Sequence, residues 1–122
     1  MKLMPSLALL SLMAAGQAYA ACTYPKAPEK IPDGTTSNLD DMKAGIKAVK
    51  QFDADITAYQ ACVEGENTAA VQAAGDKLTE DKKKDMMRMM SQKINAAADE
   101  SAALAARLNE QIRVYKAKTA KP

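Results

Sequence analysis

Residues 37–65 read SNLDDMKAGIKAVKQFDADITAYQACVEG, and the spacing within them decides the fold. Leu39, Met42, Ile46, Val49, Phe52, Ile56, Tyr59 and Val63 recur at intervals of three or four, the period of one face of an amphipathic helix. Ser37 followed by Asp40 has the form of a capping box, and Asp40 and Asp41 put negative charge in the first turn, where the helix dipole favours it. Gly65 is the expected stop, so the spacing predicts a first helix over about 37–65.

Upstream, residues 21–36 read ACTYPKAPEKIPDGTT. Pro25, Pro28 and Pro32 each remove an N–H donor and bias the preceding residue to extended geometry, which makes this an arm. Pro32-Asp33-Gly34 carries the residues of a tight turn, with Pro second and Gly fourth, and is expected to reverse the chain before the helix. If the arm then lies back along the helix, its length can be checked. Cys22 to Pro32 spans about 31 Å at ~3.1 Å per residue. Ser37 to Cys62 spans about 37 Å at ~1.5 Å per residue. The turn makes up the difference, so Cys22 and Cys62, the two cysteines of the chain, are expected to form a disulfide. Closing a loop of about 41 residues is worth ~4 kcal/mol on the chain-entropy argument. A redox role is disfavoured by the lack of a C-x-x-C pair.

Downstream, residues 66–78 are small, polar and Ala-rich and read as a connector, with a helical turn or two over Thr68 to Ala74 and a breaker at Gly75-Asp76. A second helix should start at Thr79, ahead of Glu80 and Asp81, and run uninterrupted to about residue 117. Ile94, Ala97, Ser101, Leu104, Leu108, Gln111 and Tyr115 form a heptad-like seam in it, and the alanines between 96 and 106 allow a neighbouring helix to come close. Its Lys-rich end, with the tail 119–122, is expected to project freely.

Residues 1–20 have the parts of a secretory signal: Lys2, the apolar run Leu7 to Ala15, and Ala18-Tyr19-Ala20 as the cleavage site. Cleavage after Ala20 predicts a periplasmic protein. Lipidation of Cys22 is the competing route, but Tyr19 stands where a lipoprotein signal carries Leu. Removing 20 of the 122 residues leaves 102, enough for one small domain. It also reduces the 17 basic residues to 16 against 15 acidic ones, a net charge of +1. Nucleic acid is therefore an unfavoured partner, and Lys82-Lys83-Lys84 and Lys116, Lys118 and Lys121 read as solvated positions. No stretch of the processed chain is apolar enough to span a membrane. With one Phe, four Tyr and no Trp, the chain has little with which to fill an interior, and a thin helical object of this size needs a staple.

Met86-Met87-Arg88-Met89-Met90 is the most distinctive local feature. Met86, Met89 and Met90 share a helix face, and thioethers so placed suit Cu(I) or Ag(I). Methionine also serves as a flexible core filler, and that reading is favoured by the absence of His and of a third cysteine. Nothing points to catalysis or a cofactor. There is no imidazole, no phosphate-cradling Gly-rich loop and no zinc motif, and Asp53 and Asp55 fall on different helix faces. Asn95 and Asn109 read as solvated positions beside the seam.

Leu78-Thr79-Glu80-Asp81-Lys82 is similar to the L-T-x-x-Q helix starts of periplasmic chaperones of the Spy and CpxP type, with Lys82 in place of Gln and one copy in place of two. More broadly, C-x-Y-P-x-A-P-x-x-I-P-D-G, V-K-Q-F-D-A-D-I-T-A-Y-Q-A-C and N-E-Q-I-R-V-Y-K-A-K resemble a family of small exported proteins from proteobacteria. That resemblance implies the Gram-negative envelope and carries no catalytic residue with it. The expectation is an all-α protein: an antiparallel, coiled-coil-like two-helix hairpin over 37–118, with the arm 21–36 fixed by Cys22–Cys62. Its expected role is non-enzymatic, as a structural or interaction protein contacting a partner, or a second copy, through the Ala and Met surface of the second helix. A holdase chaperone is the alternative and Met-based soft-metal binding the third reading.

Overall fold

The computed structural model describes residues 21–120. The expected signal segment and the last two residues of the expected tail lie outside that range. The described residues form two packed helices and no strand. They are α1 (Leu39–Ala74) and α2 (Glu80–Thr119), joined through a single 3-10 turn at Gly75–Lys77. No helix among the described residues is long and apolar enough to cross a membrane.

Both helices begin with a side-chain cap, although α1 does so one residue later than its sequence suggests. Asn38, not Ser37, is the cap: its side chain accepts from the Asp41 amide at 2.8 Å, and Asp41 accepts from the Asn38 amide at 3.4 Å. Ser37 is already engaged in the preceding turn, where its amide and that of Thr36 donate to the Asp33 carbonyl at 2.8 and 3.2 Å. That turn therefore opens at Asp33, whose carboxylate also accepts from the Thr35 amide at 2.8 Å, and not at the residue before Pro32. In α2 the cap is the expected Thr79, accepting from the Lys82 amide at 3.2 Å.

Gly65 does not stop α1. A glycine in a helix interior costs only about 1 kcal/mol relative to Ala, and the Ala-rich residues beyond it are strong helix formers. The helix runs on to Ala74 and ends at Gly75, whose φ of +50° lies in the left-handed region where glycine is favoured. The expected connector over 66–78 thus shrinks to the 3-10 turn and its flanks.

Between the helices, Val49, Phe52 and Ile56 of α1 pack with Ala97, Leu104 and Leu108 of α2. Met42 and Val63 are buried towards either end of α1's face, and Phe52 is 2% exposed. Leu39, expected on that face, is 52% exposed, because the first turn of α1 precedes the core. The polar bonds between the helices pair residue numbers that run in opposite senses. Gln60 Nε2 donates to the Ile94 carbonyl at 3.1 Å, and Ser101 Oγ donates to Asp53 at 2.7 Å. Lys118, expected in a free end, donates to the carbonyls of Thr35 and Ser37 at 3.1 and 3.0 Å. The end of α2 is tied to the chain entering α1.

Candidate functional site

Cys22 and Cys62 form the expected disulfide, with Cα atoms 5.8 Å apart. The Cys22 amide donates to Glu66 at 2.8 Å, so a residue from the stretch read as connector completes the clamp. The two sulfurs and a Glu66 oxygen lie within 4.8 Å of one another, the spacing of a metal-ligand set, but sulfurs joined to each other offer no thiolate to a cation.

From this clamp, the leading segment packs against both helices. The Tyr24 ring meets Tyr59 edge-on at 5.0 Å, and its hydroxyl donates to Glu100 of α2. Hydrogen bonding to that carboxylate, reinforced by partial desolvation and the negative charge, pushes the Tyr24 pKa up to about 12. Ala27 and Ile31 pack on the core. Pro32 lies so close to Gly45 that no Cβ fits there, and Gly34 lies as close to the α2 backbone, where a Cβ would sit 2.8 Å from the Tyr115 nitrogen. The Gly34 amide donates to Gln111 at 2.8 Å. Sequence reasoning assigns Gly34 to a turn and does not single out Gly45. The signal available for Gly45 is a glycine inside an otherwise regular helical pattern.

The segment occupies one side of the helix pair and leaves the other side uncovered. There Asp53, Thr57 and Gln60 of α1 face Ala98, Ala102 and Ala105 of α2 across an open hollow of about 210 Å³. The Ser101–Asp53 bond crosses this groove, which separates Asp53 from Asp55. The latter accepts from Gln51 Nε2 at 2.8 Å and lines a different hollow, beside Thr23 and Cys62. Asn95 and Asn109 are exposed.

Further along α2, Met86, Met89 and Met90 do share a face. They line a hollow of about 200 Å³ together with Val63, Glu66 and Asn67 of α1. Lys93 stands on its rim. Met87 lies outside it and is 57% exposed. A larger open hollow, about 490 Å³, lies where Ile31, Asp33 and Thr35 meet Arg107, Glu110 and Gln111. The hydrogen bond and positive charge of Arg113 hold the Glu110 carboxyl below its usual pKa.

No family model, no curated protein and no solved structure matches the chain. The chemistry of its surfaces is therefore the guide to what it does.

Proposed function

We propose that this is a non-enzymatic interaction protein of the periplasm, an antiparallel hairpin whose proline-rich arm is held by the disulfide and whose uncovered groove receives a helix from a partner protein. The observation that carries this reading is the groove opposite the arm. Its α2 wall is made of small residues, Ala98, Ser101, Ala102 and Ala105, so a third helix can approach closely. Asp53, Thr57 and Gln60 along the α1 wall offer polar groups to fix its register. Export to the periplasm is supported by residues 1–20 and by the need for an oxidising compartment to form Cys22–Cys62. The opposed numbering of the cross-helix bonds, and the tie from Lys118 to the residues ahead of α1, support the hairpin.

A photo-crosslinking residue placed at Ala102 in living cells tests the groove, with exposed Ala58, on the side of α1 beside Thr23 and Cys62, as the control position. The reading expects one adduct of defined mass from Ala102 and none from Ala58. An adduct of twice the protein's own mass would identify a second copy as the occupant in place of a partner. Equal labelling from both positions, or none from either, contradicts the reading.

A further inference from the structure

We propose that Met86, Met89 and Met90 form a binding site for one soft monovalent cation, Cu(I) or Ag(I), held by their three thioether sulfurs. The inference is independent of the groove and of any partner there.

Two observations separate these residues from methionines that merely fill space. Met42 shows what a filler looks like in this protein: it is only 3% exposed. Met89 is 56% exposed, so it fills nothing, yet it lines the same hollow as the half-buried Met86 and Met90. The three occupy one helix face at spacings of three and four, which brings side chains of this length together on an exposed surface. Across the hollow, α1 contributes Val63, Glu66 and Asn67.

A thioether is neutral and polarisable, so it selects soft cations over Mg²⁺, Ca²⁺ or Zn²⁺ and loses no proton on binding. Glu66 places a negative charge beside the bound cation. Its oxygen is held by the Cys22 amide at 2.8 Å, so the clamp that fixes the leading segment also fixes this wall of the site. Lys93 on the rim acts in the opposite sense, but its amine can turn into solvent on a flexible stem.

The test is a titration of the purified, disulfide-intact protein with Ag(I) in chloride-free buffer, and with Cu(I) against a chromogenic Cu(I) chelator under anaerobic conditions. The expected result is saturable binding of one equivalent. Affinity should fall about tenfold or more in Met86→Leu/Met89→Leu/Met90→Leu and be unchanged in Met87→Leu. Leucine preserves size and helix propensity, and circular dichroism checks that the triple variant folds. In the unaltered protein, Ag(I) should shift the NMR methyl signals of those three methionines and leave Met42 in place, a readout that needs no variant. Non-saturable binding, a triple variant that binds like the parent, equal loss in Met87→Leu, or shifts spread over all the methionines would overturn the proposal.

Discussion

At the scale of single residues, two glycines with opposite roles make the sharpest comparison. A Cβ at Gly34 would collide with the α2 backbone, whereas a Cβ at Gly65 would meet nothing within 4 Å. Gly34→Ala is therefore expected to destabilise the protein by about 1–3 kcal/mol through overpacking. Gly65→Ala should stabilise it by about 1 kcal/mol by improving a continuous helix. Urea denaturation of the two variants measures both, and a loss on Gly65→Ala would mean that α1 breaks there. Tyr24 gives a pH-dependent counterpart. Its folded pKa of about 12 lies above the ordinary 10.0, so its bond to Glu100 contributes fully below pH 10 and is lost as pH rises towards 12. Followed by phenolate absorbance, Tyr24 should ionise late in the parent and return towards the ordinary value in Glu100→Gln. An unchanged late step in the variant would show that Glu100 is not the cause.

At the scale of elements, helical periodicity makes the buried stripes readable: Met42, Val49, Phe52, Ile56 and Val63 on α1, and Ala97, Ser101, Leu104 and Leu108 on α2, are the residues the structure buries. The boundaries are harder to read. Ser37 and Asn38 are both capping residue types, and the turn from Asp33, a matter of backbone hydrogen bonds, decides between them. Gly65 and Gly75 are both glycines near a break in the pattern. What separates them lies further downstream: Ala69, Ala70, Ala73 and Ala74 carry the helix on past the polar residues that follow Gly65, whereas only a short polar turn follows Gly75. The methionine face is legible from spacing, whereas Glu66 on its far wall is not, since its polar, Ala-rich surroundings read as a connector. The core between the helices is one layer thick, and Phe52 is its largest fully buried side chain. Phe52→Ala should cost about 3–5 kcal/mol, measured as a shift in thermal or urea midpoint. A loss under about 1 kcal/mol would mean that the helix interface is not the core.

At the scale of the whole molecule, the surface ion pairs contribute little. Lys26–Glu29, Lys83–Glu80, Arg88–Asp85 and Arg113–Glu110 are exposed pairs three residues apart on the same stretch of chain. Stability rests on the thin core and on the leading segment that covers one side of it, and the disulfide fixes that segment to α1 across 40 residues of sequence. The bond is expected to supply ~4 kcal/mol, against a total of roughly 5–15 kcal/mol for a small domain. The most direct test is equilibrium urea denaturation of the oxidised protein beside Cys22→Ser/Cys62→Ser. The variant should unfold at a much lower midpoint, with the difference near ~4 kcal/mol, and Tyr24 should titrate as a free phenol before the helices melt. If the two proteins have the same midpoint, and Tyr24 keeps its raised pKa without the bond, the cysteine tie is not what holds the segment in place.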